Sequence, residues 1–521
     1  MALLAASALL VIFRSKKRFP PGPPALPLLG NILDFPKRES WKVYLDWGRA
    51  YNSDILSLKI PGTRLFVLNS AQVIQDLLVK RANNYSDRIG TSWLIPFMNN
   101  TERWRDHRRL FRREFDTPEA SAVNRSHEVH AARRLLHRLL STKDHEGDLR
   151  LAAVDTILSI TYGITPTDFE HPFIKAPEDL NAIFGDVAKG GYMVDLFPFL
   201  RYLPAWLPGV KFHKLARRGR PLSSAVVLGP YQEVQNQVQK GIALPSVASK
   251  FLYELQEGSI KSSSEIEMMR NVLGNAYLGM SLKIMLFLTF KRIEFLLRRC
   301  RHDVSRISKT VCALYNFVLA MALHPEVQKK AQASLDSVLG GTRLPEFDDM
   351  TQLPYISAIV NEVLRWHPIG PLAVYHVNSR DDEYNGYFIP KGSMMIPNTW
   401  SLLHDEGTFG PNTNQFIPER FLNFDGSLNA DRTNMDYAFG FGRRSCPGRL
   451  MARDTLWIMA AHILAAYDVL DPFDMEGNKL TSESDLEYTN TMVRYASNLL
   501  VGLNTLKLPT VQLPAPHEDH I

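Results

Sequence analysis

The sequence predicts a mainly α-helical chain with small β-sheets, and three observations carry that expectation. Apolar residues recur at helical spacing in long stretches, with Tyr355, Ile356, Ile359, Val360, Val363 and Leu364 in one and Val311, Leu314, Tyr315, Val318, Leu319 and Ala322 in another. Strand-like runs are few and short, at residues 55–58, 64–68 and 394–397, and Asn385-Gly386 between Tyr384 and Tyr387 reads as a hairpin turn. No linker, repeat or low-complexity block divides the 521 residues, so one large helical body is the simplest architecture. At 22% charged and 45% hydrophobic residues, the chain is neither disordered in bulk nor a multi-span membrane protein. It carries no basic-helix, zinc-finger or aromatic RNA-binding pattern, so no nucleic-acid partner is expected. Cys300, Cys312 and Cys446 are too few for a disulfide framework and fit a chain facing a reducing compartment.

From the N-terminus, residues 2–13 are small and apolar and are followed at once by Arg14-Ser15-Lys16-Lys17-Arg18. A helix of that length reaches about 18 Å against a hydrocarbon core of roughly 30 Å. A cleaved signal peptide would carry its positive charge before the apolar run, not after it. Residues 1–18 are therefore expected to be a short or obliquely inserted membrane anchor, held on the cytosolic side by its basic flank, with a buried N-terminal helix as the alternative. Residues 19–29 hold Pro20-Pro21-Gly22-Pro23-Pro24 and read as a stiff hinge. Residues 30–513 form the body, and 514–521 a polar tail. Within the body, residues 197–208 are apolar, aromatic and broken by proline, which fits a core segment or a membrane-dipping or channel-lining surface equally well.

The most informative stretch is Phe439-Gly440-Phe441-Gly442-Arg443-Arg444-Ser445-Cys446-Pro447-Gly448-Arg449. Glycines on both sides of the cysteine permit tight turns and close approach of a flat ligand. Backbone N–H groups and arginine favour a thiolate, as does the helical pattern that resumes at 452–464. A buried free cysteine would need neither the glycines nor the arginine.

This loop resembles the cytochrome P450 haem-binding loop, F-x-x-G-x-R-x-C-x-G, at every fixed position. Other motifs of that family lie in order along the chain, and the resemblance runs from the hinge to about Leu508. It implies that Cys446 is the axial iron ligand, whose thiolate donates electron density favouring O–O cleavage. Glu362-Val363-Leu364-Arg365 is similar to the family's E-x-x-R, two side chains on one helix face. Pro418-Glu419-Arg420-Phe421 resembles P-E-R-F, and Glu362, Arg365 and Arg420 are implied to be structural. Trp104 to Arg108 matches W-x-x-x-R, and Pro371 to His376 resembles a segment ending in a propionate-binding residue. The resemblance thus assigns Trp104, Arg108, His376 and Arg444 to the haem propionates, through charge-assisted hydrogen bonds. Arg103, Arg105, Arg109, Arg112 and Arg113 crowd around Arg108, so a solvated basic face is the alternative, and the surplus would suit an acidic electron donor. Tyr51 to Leu56, Tyr85-Ser86-Asp87-Arg88 and Asn398-Thr399-Trp400 give a fungal secondary-metabolism flavour, similar to O-methylsterigmatocystin oxidoreductases.

One region departs from the family. The distal helix normally carries [A/G]-G-x-[D/E]-T, an acid and an alcohol that relay protons into the pocket. Here Asn275 to Gly279 enters that helix and Thr310 to Tyr315 leaves it, but residues 280–309 replace the pair. Thr310 is the candidate catalytic alcohol, and no acid precedes it. The intervening stretch holds eight basic residues against two acidic ones, which equals the net charge of +6 for the whole chain. Such a stretch cannot cross a haem pocket, because each buried unpaired ion costs several kcal/mol. A translated intron and a genuine insertion are both open, and sequencing the transcript decides between them.

The resemblance implies a haem b monooxygenase in the endoplasmic reticulum membrane, its catalytic domain cytosolic. Electrons would come from NADPH through NADPH-cytochrome P450 reductase, and one atom of O₂ would enter a hydrophobic small molecule, terpenoid, polyketide or alkaloid-like. The alternative is a haem-binding protein without turnover, because its proton relay is interrupted.

Overall fold

The computed structural model describes residues 18–36, 38–60, 62–88, 95–141, 144–177, 179–180, 202–204, 212–259, 262–281, 309–433, 435–474, 477–482 and 500–505. Helix α1 (Ser40–Ala50) leads into the antiparallel pair β1 (Ile55–Ile60) and β2 (Thr63–Leu68). Helices α2 (Glu102–Phe115), α3 (Pro118–Ser141) and α4 (His145–Tyr162) follow, then α5 (Phe212–Lys240), α6 (Val247–Gln256) and α7 (Ser263–Ser281). After these come α8 (Lys309–Leu323), α9 (Pro325–Leu339) and α10 (Pro354–Trp366). Four short strands, β3 (His376–Val377), β4 (Asp382–Tyr384), β5 (Tyr387–Ile389) and β6 (Met394–Pro397), precede the cysteine loop, and α11 (Arg449–Ala466) follows it. The last pair is β7 (Tyr467–Phe473) with β8 (Leu500–Thr505).

Local chemistry sets these boundaries. Thr101 and Asp144 accept hydrogen bonds from the N–H groups of Trp104 and Gly147, opening α2 and α4. Pro325 and Pro354 occupy the first turns of α9 and α10, where no intrahelical donor is lost. Asn385 (φ 49°) and Gly386 (φ 74°) both adopt the left-handed conformation that a two-residue hairpin between β4 and β5 requires.

Two apolar cores organise the helices. One joins residues of α3, α8, α9, α10 and α11. The other joins α2, α4, α5, α6 and α7, and Met451 at the start of α11 packs into it. The four-stranded sheet runs β1-β2-β6-β3, with β2 and β6 parallel, and carries His376 on its inner end.

The hinge is not a free spacer. Pro21 accepts a hydrogen bond from Ser57 N–H at 2.9 Å, Asn31 N–H donates to Lys59 O at 2.7 Å, and Arg18 O accepts from Phe388 N–H at 2.8 Å. Backbone approaches β1 so closely that a Cβ on Gly22 would lie 2.4 Å from Ser57 O, and one on Gly30 2.2 Å from Lys59 O. Among the described residues no helix is long and apolar enough to cross a membrane. The expected anchor, all but Arg18 of it, lies outside them, as do most of residues 197–208, of which Tyr202 is 75% exposed. Residues 282–308, the bulk of the anomalous stretch, also fall outside.

Candidate active site

The cysteine loop is two tight turns closed by one hydrogen bond. The 3-10 turns Asp436–Phe439 and Gly442–Arg444 bracket Gly440, and Cys446 N–H donates to Phe439 O at 2.7 Å. Gly440 (φ 89°) and Gly442 (φ 54°) take conformations that side chains disfavour. At Gly442 the demand is steric as well, since a Cβ there would lie 2.2 Å from Leu78 O. That glycine lets the loop backbone approach the backbone at Leu78. Cys446 is a half-buried free thiol three residues before α11, where the positive end of the helix favours an anion.

A set of buried or half-buried cations surrounds the loop. On α2, Arg108 donates to Ser445 O at 2.8 Å. Arg444 donates from Nε to Ser86 O and from Nη2 to Met98 O, both at 2.7 Å, and lies 3.8 Å from the centre of the Trp104 ring. The Trp104 indole N–H is engaged with Ile95 O at 3.1 Å. Arg88, 6% exposed, donates from Nε to Pro96 O at 3.1 Å and from Nη1 to Tyr375 O. His376 is buried, with Nδ1 2.7 Å from Tyr85 O.

Electrostatics confirm that these groups crowd one another. Burial, then Arg88 and Arg108, push the Arg444 guanidinium down to about 8, and burial pulls Arg88 down to about 10. Arg108 is lowered by burial, with Cys446 acting in the opposite sense. Burial, Arg88 and Arg444 hold His376 well below the ordinary imidazole range, so the ring is neutral here and its Nδ1 proton goes to Tyr85 O. Among the described residues none of Arg88, Arg108 and Arg444 forms an ion pair with a carboxylate, and Arg444 Nη1 is buried without a hydrogen-bond partner. A buried, unpaired N–H on a cation is costly unless an anion completes it.

Behind the loop lies a second, closed arginine cluster. Arg365 donates to both carboxylate oxygens of Glu362, at 2.6 and 2.9 Å, and to the carbonyls of Leu403, Thr413 and Gln415. Arg420 reaches Glu362 at 3.1 Å and Phe409 O at 2.6 Å, and Ile417 N–H adds a further bond to Glu362 at 2.7 Å. All three side chains are almost fully buried.

On the distal side, Asn275 of α7 accepts from Ile95 N–H at 2.9 Å, so that helix is tied to the residue whose carbonyl holds Trp104. Thr310 is the second residue of α8, and its side chain lies outside the described set.

Comparison with known proteins decides the family. The cytochrome P450 sequence pattern matches residues 20–225 and 308–490. The chain belongs to the cytochrome P450 family. It is 43% identical to the P450 monooxygenase eriA of Hericium erinaceus, over 92% of this chain and 87% of that one. A P450 monooxygenase of Armillaria gallica is 37% identical over 90% of this chain and 88% of its own. The tryptamine 4-monooxygenase of Psilocybe cyanescens is 34% identical, with 89% of both chains covered. The helical architecture with small sheets agrees with the P450 fold, and the relatives, P450 monooxygenases of fungi, support an oxygen-incorporating oxidoreductase.

The residues present fit the haem of this family. The free thiol of Cys446 could donate to an iron, and the orphaned Arg444 Nη1 and the guanidiniums without an ion-pair partner among the described residues could donate to carboxylates. The structure brings Trp104, Arg108, His376, Arg444 and Cys446 into one neighbourhood, and keeps Glu362, Arg365 and Arg420 in the separate closed cluster. Sequence reasoning passed over Arg88. It stands inside Tyr85-Ser86-Asp87-Arg88, and a basic residue at the end of a polar tetrapeptide gives no sign that it will be buried.

Proposed function

We propose that the protein is a membrane-anchored haem-thiolate monooxygenase of fungal secondary metabolism, in which Cys446 would hold the iron of haem b. The observation that carries this reading is the free Cys446 thiol facing a set of guanidiniums that lack any carboxylate partner among the described residues. Bound haem, reduced with electrons from NADPH through NADPH-cytochrome P450 reductase, would supply the activation of O₂ for insertion of one oxygen atom into the substrate. The protein's own part is to hold and to exclude. Arg108 and Arg444 would bind the propionates, with His376 beside them and the Trp104 ring beneath Arg444. Arg108 would also hold the loop at Ser445, one residue before Cys446. Thr310, at the start of α8, would be a candidate to pass a proton into the distal pocket. A hydrophobic substrate, terpenoid, polyketide or alkaloid-like, agrees with the company the chain keeps, one relative being named for tryptamine. Localisation at the endoplasmic reticulum membrane, with the body in the cytosol, rests on the apolar run and basic flank of residues 1–18.

The expected signature is the red-shifted carbonyl spectrum of a thiolate-ligated ferrous haem, abolished in Cys446→Ser; a variant that kept it would remove the ligand assignment. A second reading has its own observation, the loss of the acid–alcohol pair between Gly279 and Thr310. On that reading the chain binds haem but consumes NADPH only to form peroxide. Product analysis after co-expression with the reductase, beside a chain lacking residues 280–309, separates the two.

A further inference from the structure

Helices α3 and α11 meet along a row of polar side chains that the cysteine site leaves unused. Ser121 Oγ donates to Asp454 Oδ2 at 2.6 Å, and Arg125 Nε donates to the same oxygen at 3.0 Å. One turn further along α3, Glu128 Oε1 accepts from Thr455 Oγ1 at 2.8 Å. Positions 121, 125 and 128 share one face of α3 by helical spacing, and 454 and 455 stand in the second turn of α11. Since α11 begins three residues after Cys446, this row fixes the helix into which the cysteine loop runs.

Glu128 is the odd member of the row. It is 1% exposed, and its Oε2 is buried without a hydrogen-bond partner among the described residues. The row holds two carboxylates but one guanidinium, and Asp454 takes it. Other ions nearby are spent elsewhere: Arg133 pairs with Glu346, and Arg134 and Arg138 both pair with Asp155 of α4. Burial pushes His127 of α3 down to about 4 and His462 of α11 down to about 3, so neither supplies a charge near neutrality. Glu128 is left with one neutral donor and no counter-charge, a position in which a carboxylate is strongly unfavourable. Burial, then Asp454, raises its carboxyl well above the ordinary range, with Thr455 and Arg125 acting in the opposite sense.

We infer that Glu128 is a pH latch on α11: it sits in the α3–α11 contact as a neutral carboxyl, and loss of its proton releases the helix that follows Cys446. An acid raised on folding stabilises in full below the ordinary carboxyl range, and that effect is lost as pH rises through the raised value. Over this interval each unit of pH opens the contact about tenfold more readily, because the acid sheds its proton freely only once it is exposed. Gln at position 128 keeps the size and an acceptor for Thr455 and cannot ionise.

The test follows hydrogen exchange of backbone amides in the full chain. The unaltered chain and Glu128→Gln are compared at the same pH, so that the intrinsic pH dependence of exchange cancels. In α3 and α11 the ratio of the unaltered chain's rate to the variant's is expected to grow at least about tenfold between about pH 5 and about pH 9. In the β4–β5 hairpin the ratio is expected to stay constant. A ratio in α3 and α11 that does not grow with pH overturns the inference, as does equal growth in the hairpin. Asp454→Asn removes the neighbouring charge and frees Arg125 for Glu128, so its own helices are expected to open less at the alkaline end. Should Glu128→Gln not fold, Asp454→Asn decides: a ratio of unaltered chain to variant that grows over the same interval supports the latch, and a constant or falling one overturns it. This readout does not pass through the haem, so its failure leaves the assignment of Cys446 untouched.

Discussion

Arg365 and Arg444 are the same residue in opposite situations. Arg365 sits in a cluster that protein alone completes, with Glu362 taking two of its donors and three carbonyls the rest. Arg444 has two carbonyls, a ring beneath it, two like charges beside it and a buried Nη1 left without a partner. A buried cation whose counter-charge is built into the chain is part of the fold. One whose counter-charge is missing is an invitation to a ligand, and the difference can be read from partners alone.

Three substitutions press on that contrast. Arg365→Met should be the most damaging, because it removes one of the two cations on the buried Glu362 carboxylate, with both of its hydrogen bonds there, leaves Arg420 as the remaining partner, and costs about 3–5 kcal/mol. Urea denaturation of the cofactor-free chain measures it, and part of the loss should return when Glu362 is made Leu as well. Arg444→Gln should behave differently, lowering cofactor-free stability by less than about 1.5 kcal/mol while weakening haem retention roughly tenfold or more. A chain as destabilised as the Arg365 variant would erase the distinction between the two clusters. Arg103→Ala should do least. Its partner Glu267 lies at 2.8 Å, but the two side chains are 59% and 66% exposed, so the cost should stay below about 1 kcal/mol with haem retention unchanged.

Much of this was legible in advance. The turn at Asn385-Gly386, the helix that carries Glu362 and Arg365, and the strands at 55–58, 64–68 and 394–397 follow from local spacing and turn chemistry, and the structure extends them by only a few residues. The closed cluster was readable because its motif residues meet by helix geometry. The open cluster was readable only in part. Trp104 and Arg108 share one helix face, but Arg88 acquires its place from Tyr375, 287 residues away in sequence. His376 is pushed well below the ordinary imidazole range by burial and two nearby guanidiniums, with Nδ1 against Tyr85 O, and none of these partners is near it in sequence. Gly442 was read as room for a flat ligand, and its sharpest constraint is the Leu78 carbonyl. Such outcomes depend on which distant backbone arrives, and no local pattern encodes that.

The docked hinge has a consequence for how the chain can be handled. Strand β1 is the outer strand of the four-stranded sheet, and its free side would otherwise offer an unpaired ladder to a second molecule. Pro21 and Asn31 occupy that side, with Asn31 bonding Lys59 through both its backbone and its side chain. A proline-rich segment can shield such an edge without extending it, since five of the eleven residues 19–29 are prolines with no N–H to donate onward. Trimming the N-terminus back past Asn31 to improve solubility would therefore uncover a sticky border, whereas cutting before Pro20 would leave the guard in place.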